Sequence, residues 1–126
     1  MALVTREYAG AMAEKTIFQR IVDREIPAEI VLEDDDLIAF TDIAPKAEMH
    51  VLVVPKTARY RDVVELAAGD PDLLAAMVRA AKAIALERAE GDFRLVFNTG
   101  ELAGQTVFHV HAHVLAGADL TEESLA

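Results

Sequence analysis

The stretch Phe108-His109-Val110-His111-Ala112-His113-Val114-Leu115 constrains the fold more than any other. It carries three of the chain's four histidines, each separated from the next by one apolar residue. In a β-strand alternate side chains point to one face. His109, His111 and His113 then share a face, about 7 Å apart at a rise of about 3.3 Å per residue. Phe108, Val110, Ala112 and Val114 point the other way, into a core. A helix turns about 100° per residue and would scatter the three rings around its girth. The spacing therefore predicts a strand over Thr106 to Leu115 with one chemically loaded face.

Around that strand the chain alternates between helical and extended patterns. Residues 1–15 show no period and read as an N-terminal extension, with the domain running from 16 to 126. Thr16 is a suitable N-cap for a short helix bearing Ile17, Phe18, Ile21 and Val22 on one face. Glu29–Glu33 and Leu37–Thr41 form a hairpin across Asp34-Asp35-Asp36. Those three acids lack the carboxylate spacing and Gly of a calcium loop, so they read as a solvated turn. His50–Pro55 is apolar enough to be a central strand, stopped by Pro55. A helical turn is expected near Asp62 to Ala67.

Asp70-Pro71-Asp72 opens the one long helix, with N-cap, first-turn proline and dipole-matched acid in sequence. Its apolar residues recur from Leu73 to Ala85, and Gly91 closes it. Phe93–Asn98 is the next strand. The order predicts an α+β domain: a mostly antiparallel, five-stranded sheet with one long and one short helix.

The chain has 126 residues, enough for one domain with its own core. It has no cysteine, which removes disulfides, thiolate metal sites and a cysteine nucleophile. A formal charge of −10 argues against a DNA or RNA partner, whose backbone needs a basic face. It leaves room for one small nucleotide held by backbone amides and imidazoles. The N-terminus has no hydrophobic block and no run approaches the ~20 apolar residues of a bilayer span, so a soluble, cytoplasmic protein is expected.

Three readings of the histidines remain open on spacing alone. They form a half-exposed structural strand, or they bind a metal, or they carry acid–base or nucleophilic chemistry. Imidazole is a frequent metal ligand. A straight strand, however, carries the third ring away from an ion held by the first two. His50 completes such a site only if its strand neighbours this one. For catalysis, neutral imidazole titrates near pH 6.5 and attacks or carries protons at pH 7. Gly100, Gly104, Gln105 and Thr106 beside the row suit an anion and so favour phosphoryl or nucleotidyl transfer.

His109 to Leu115 also matches the His-φ-His-φ-His-φ-φ pattern (φ apolar) of the histidine triad, or HIT, family. Thr16-Ile17-Phe18, Arg24-Glu25-Ile26-Pro27-Ala28, Phe40 to Pro45, His50 to Lys56, Val96 to Gly100 and Gly104 to Phe108 resemble its Hint-like branch, in that branch's order, over residues 16–117.

The resemblance implies a homodimer joined through the long helix. It implies a hydrolase that needs no cofactor or metal and takes AMP- or GMP-like purine nucleotides joined to an amine. His111 would be the nucleophile that forms a nucleotidyl-histidine. His113 would contact the phosphate and help the leaving group, while His109 and His50 support the site. Asp42 would take the ribose hydroxyls and Asn98 the sugar–phosphate region. Gln105 and Thr106 would hold phosphate and leaving group. Ile17, Phe18, Phe40 and Ile43 would wall the base. Without the resemblance those four read as core.

Two alternatives stand beside this one: a dinucleoside polyphosphate hydrolase of the same superfamily, and a nucleotide-binding regulatory protein with weak turnover. The chain also departs from the branch. It has Thr106 where Ser is common, Glu101 in a loop that lacks the usual Gly pair, and a different C-terminal tail.

Overall fold

Capping residues set where the helices begin. In the computed structural model, which describes residues 15–124, Thr16 Oγ1 accepts the Gln19 N–H at 3.1 Å and opens α1, Ile17–Val22. Asp62 caps α2, Val63–Gly69, and Asp70 caps α3, Pro71–Arg88, with Pro71 in the first turn. Helix α2 is a full short helix where the sequence suggested only a helical turn. Beyond α3 the chain reverses through Glu90 (φ 57°) and Gly91 (φ 90°), and the Gly91 N–H returns to Ala85 O at 2.9 Å. The extension that the sequence suggested at residues 1–15 lies, save its last residue, outside the described residues.

The strands are β1 (Ile30–Glu33), β2 (Leu37–Thr41), β3 (Met49–Pro55), β4 (Arg94–Val96) and β5 (Ala112–Ala116). They form one sheet in the order β1-β2-β3-β5-β4, antiparallel at every pairing. The acidic turn between β1 and β2 is held by Asp34 Oδ1, which accepts the Asp36 and Leu37 N–H groups at 2.8 Å each. All seven residues of β3 are buried, as its unbroken apolar run requires of a central strand.

The two faces of the sheet are covered differently. Val51, Val53, Ala112 and Val114 point to one side, where Leu66 of α2 and Met77, Ala81 and Ile84 of α3 cover them. Ile38, Phe40, Leu52 and Val54 point to the other, where α1 lays down Phe18 and Ile21. Full burial of such side chains is worth about 1.5–3 kcal/mol each. The second face is the one on which the histidines lie.

The histidine stretch is only half strand. Residues 106–111 leave the ladder, with the chain bending at Val107 and His109, and regular pairing begins at Ala112. The cause lies opposite. Carrying the Val53–Ala112 register onward sets Val110 against Pro55, which has no N–H to give. The Val110 N–H goes instead to Tyr60 O at 3.0 Å. The strand read over Phe93–Asn98 is likewise shorter, covering three residues of six.

Candidate active site

Despite the break in the ladder, the alternation survives. Val110 and Ala112 are fully buried in the helix-covered core, while the imidazoles gather on the α1 side. The Phe18 ring meets His111 edge-on at 4.7 Å between centroids and His109 at 6.2 Å. His111 and His113 stand 5.2 Å apart, closer than the 7 Å of an ideal strand. His50 enters from β3. Register pairs Leu52 with His113 and His50 with Leu115, so His50 and His113 are diagonal neighbours, with ring centroids 5.2 Å apart.

The eight ring nitrogens are almost all spoken for, and the partners fix each tautomer. His109 is fully buried. Its Nε2–H donates to Pro55 O at 2.7 Å, so its Nδ1 accepts from the Thr16 hydroxyl at 3.2 Å. His50 Nδ1 accepts the Lys46 backbone N–H at 2.9 Å, which puts its proton on Nε2. That Nε2–H donates to His113 Nδ1 at 2.9 Å and leaves His113 protonated on Nε2. His111 Nδ1–H donates to His109 O at 2.9 Å.

Two ring atoms have no protein partner among the described residues: Nε2 of His111 and Nε2 of His113. They are opposite in kind. The first carries a lone pair and the second a hydrogen.

Burial keeps the four rings neutral. Desolvation is the largest influence on each, and it lowers the pKa of His50, His109 and His111 below the usual 6.5. For His50 the Asp42 carboxylate opposes the shift; for His109 and His111 their carbonyl partners do. His113 falls furthest, to about 4, because His111 and His50 beside it add like-charge repulsion to desolvation.

Asp42, His50 and His113 bring ligand atoms within 4.8 Å of one another. Two imidazoles and a carboxylate are a suitable donor set for a divalent ion. The tautomers oppose it. The Lys46 amide occupies His50 Nδ1, so the Nε2 facing the cluster bears a hydrogen and donates rather than ligates. Asp42 itself closes a turn, accepting the Ala44 N–H through Oδ1 at 2.8 Å, with Oδ2 3.5 Å from His50 Nε2.

The other residues singled out in the sequence divide in two. Phe18 and Phe40 are core residues, 7% and 4% exposed, whereas Ile17 and Ile43 stand 44% and 95% exposed beside them in sequence. Asn98 and Gln105 brace the loop between β4 and β5. Asn98 Nδ2 donates to Ala103 O at 3.0 Å. Gln105 is buried, accepts the Gly100 N–H at 2.8 Å, and donates to Arg61 O and Val107 O. The loop is a single 3₁₀ turn, Glu101–Ala103, between Gly100 and Gly104, both at positive φ. Thr106 is exposed at its end.

Sequence reasoning overlooked four partners: the Lys46 amide, the Pro55 and Tyr60 carbonyls and the Thr16 hydroxyl. Three of them are backbone groups, for which side-chain pattern holds no signal.

Comparison with known proteins finds relatives over most of the chain. A family model described as "Scavenger mRNA decapping enzyme C-term binding" matches residues 15–123. A HIT-like protein of Synechocystis is 48% identical over 110 residues, covering 84% of this chain and 93% of that one. The purine nucleoside phosphoramidase of Escherichia coli is 41% identical over 111 residues, 86% of this chain and 92% of the enzyme. Among solved structures, a HIT family hydrolase from Clostridium thermocellum superposes with a TM-score of 0.81 at 40% identity, covering 89% of this chain and 98% of that one.

Proposed function

Since the chain belongs to the histidine triad family of nucleotide-binding hydrolases, we propose that it hydrolyses purine nucleoside phosphoramidates through a nucleotidyl intermediate on His111. The observation that carries this reading is the pairing of two unpartnered Nε2 atoms, one lone pair on His111 and one N–H on His113. His111 Nε2 attacks the α-phosphorus as the phosphorus–nitrogen bond breaks. Its Nδ1–H stays on the His109 carbonyl, which stabilises the cationic ring that forms. His113 Nε2–H donates toward the phosphoryl oxygen or the departing nitrogen. The departing nitrogen takes a proton from solvent and leaves as the amine; water then attacks phosphorus, returns a proton to solvent and releases His111, so that conjugate plus water gives nucleotide plus amine. Being neutral, His113 acts by a directed hydrogen bond rather than by charge.

The surrounding residues complete the reading. Exposed Ile17 and Ile43 offer apolar surface to a base, Asp42 offers Oδ2 to ribose hydroxyls, and Thr106 offers a hydroxyl near the leaving group. The phosphoramidase similarity supports an amine leaving group and a purine. Pairing of two chains through α3 rests on the family resemblance, aided by Val78 and Leu86, which stand 41% and 62% exposed on that helix. No helix among the described residues is long and apolar enough to cross a membrane.

The test is AMP release from adenosine 5′-phosphoramidate by wild type and His111→Ala, with and without chelator. Loss of several orders of magnitude in the variant, with no effect of chelator, is the expected result. Loss of wild-type activity to the chelator would replace the nucleophilic mechanism with a metal-dependent one. Binding of AMP without turnover would remove the hydrolase assignment.

A further inference from the structure

The Thr16 hydroxyl sits between α1 and the histidine segment. It accepts the Gln19 N–H at 3.1 Å and so starts α1. Across 93 residues of sequence it also lies 3.2 Å from His109 Nδ1. One oxygen accepts from the helix and donates to the imidazole, and both bonds use the geometry a hydroxyl allows. His109 is thereby gripped at both ends of its ring, by Thr16 at Nδ1 and by the Pro55 carbonyl at Nε2. The next group along is the His109 carbonyl, the acceptor that sets the His111 ring. The same short helix lays Phe18 edge-on against His111.

We infer that Thr16 is a positioning residue of the active site, whose hydroxyl holds the His109 ring in the orientation that matches the tautomer chosen by the Pro55 carbonyl, and with it the carbonyl that aims His111 Nε2. An N-cap alone needs only an acceptor; this position needs an acceptor and a donor at once. Its effect on turnover rests on the phosphoramidase reading, while its effect on His109 does not.

Substitutions separate the two demands. Thr16→Ser and Thr16→Asn keep an acceptor for Gln19 and a donor for His109. Thr16→Asp keeps the cap but has no hydrogen to give. Its carboxylate draws the proton onto His109 Nδ1 and leaves the Pro55 carbonyl facing a lone pair.

The experiment has two readouts: ¹⁵N NMR of the His109 ring, which reports the tautomer, and kcat and KM for AMP release. Ser and Asn variants should hold the Nε2–H tautomer and kcat within about twofold. The Asp variant, at unchanged helix content, should move His109 off that tautomer. It should lower kcat about tenfold, on the scale of one hydrogen bond, with little change in KM. Thr16→Val, which removes both functions, should lower kcat at least as far and supplies the answer if the Asp variant does not fold.

An Asp variant with wild-type tautomer and wild-type kcat would overturn the inference and leave Thr16 a cap. So would a Val variant altered in melting temperature alone. If wild type releases no AMP, the hydrolase reading fails, and the NMR comparison still decides what Thr16 does.

Discussion

Acid should unfold this protein partly through one ring. His113 has its pKa pushed from the ordinary 6.5 down to about 4 by desolvation and by His111 and His50 beside it. In the unfolded chain it returns to about 6.5. A depressed pKa means that the unfolded state binds the proton first. The contribution to stability is therefore whole above pH 6.5 and is lost as pH falls through 4. Linkage over this 2.5-unit gap makes the loss about 2 kcal/mol between pH 7 and 5, and about 3 kcal/mol by pH 4. A large fraction of a small domain's net stability is at stake.

His113→Asn isolates the ring, since the amide oxygen can still accept from His50 Nε2–H near the place of Nδ1. Urea unfolding of both proteins at pH 7 and pH 5 cancels the titrations they share. Wild type should lose about 2 kcal/mol more than the variant, and the His113 Cε1–H resonance should titrate near 4. Equal losses in the two proteins, or a His113 midpoint at 6 or above, would refute the account of the neutral ring.

The four residues offered as a base wall should separate under truncation. Ile43→Ala removes a 95% exposed side chain, so stability should stay within about 0.5 kcal/mol while AMP affinity falls in calorimetric titration. Phe40→Ala, at 4% exposure, should cost about 3–5 kcal/mol in chemical denaturation. Gln105→Ala leaves the Gly100 N–H and the Arg61 and Val107 carbonyls without their partner. It should lower stability by about 1–3 kcal/mol and raise hydrogen exchange at Gly100.

What the sequence disclosed follows from period and punctuation. Thr16 and Asp70 announced their helices because a cap needs a side-chain oxygen at one place. The run from His50 to Pro55 announced a central strand because only burial on both faces tolerates it. The His-x-His-x-His spacing placed three rings on one face even though the ladder holds only the last. Invisible to that reasoning was the ladder's end, which depends on Pro55 lying opposite Val110, a matter of register between distant segments. The Asn98 and Gln105 amides show a second limit. Their bonds within the loop, from Asn98 Nδ2 to Ala103 O and from the Gly100 N–H to Gln105 Oε1, involve backbone groups and carry no side-chain signal. Ile43 shows a third, an apolar residue that reads as core and stands in solvent.

Backbone groups, more than side chains, decide what each histidine can do. Four imidazoles packed together would ordinarily be interchangeable, each with two tautomers and a protonated form. Here the Pro55 carbonyl, the Lys46 amide and the His109 carbonyl each select one nitrogen, and the His50–His113 bond transmits the Lys46 choice to a ring the amide never touches. Because burial removes the charged form, one internal partner per ring suffices to choose between the neutral tautomers. The same logic separates this cluster from a metal site with equal spacing. An ion would need lone pairs turned inward from both His50 and His113, and the Lys46 amide gives one of those two positions a hydrogen. Proximity of ligand-type residues is therefore a weak guide beside the direction in which each ring's proton has been set.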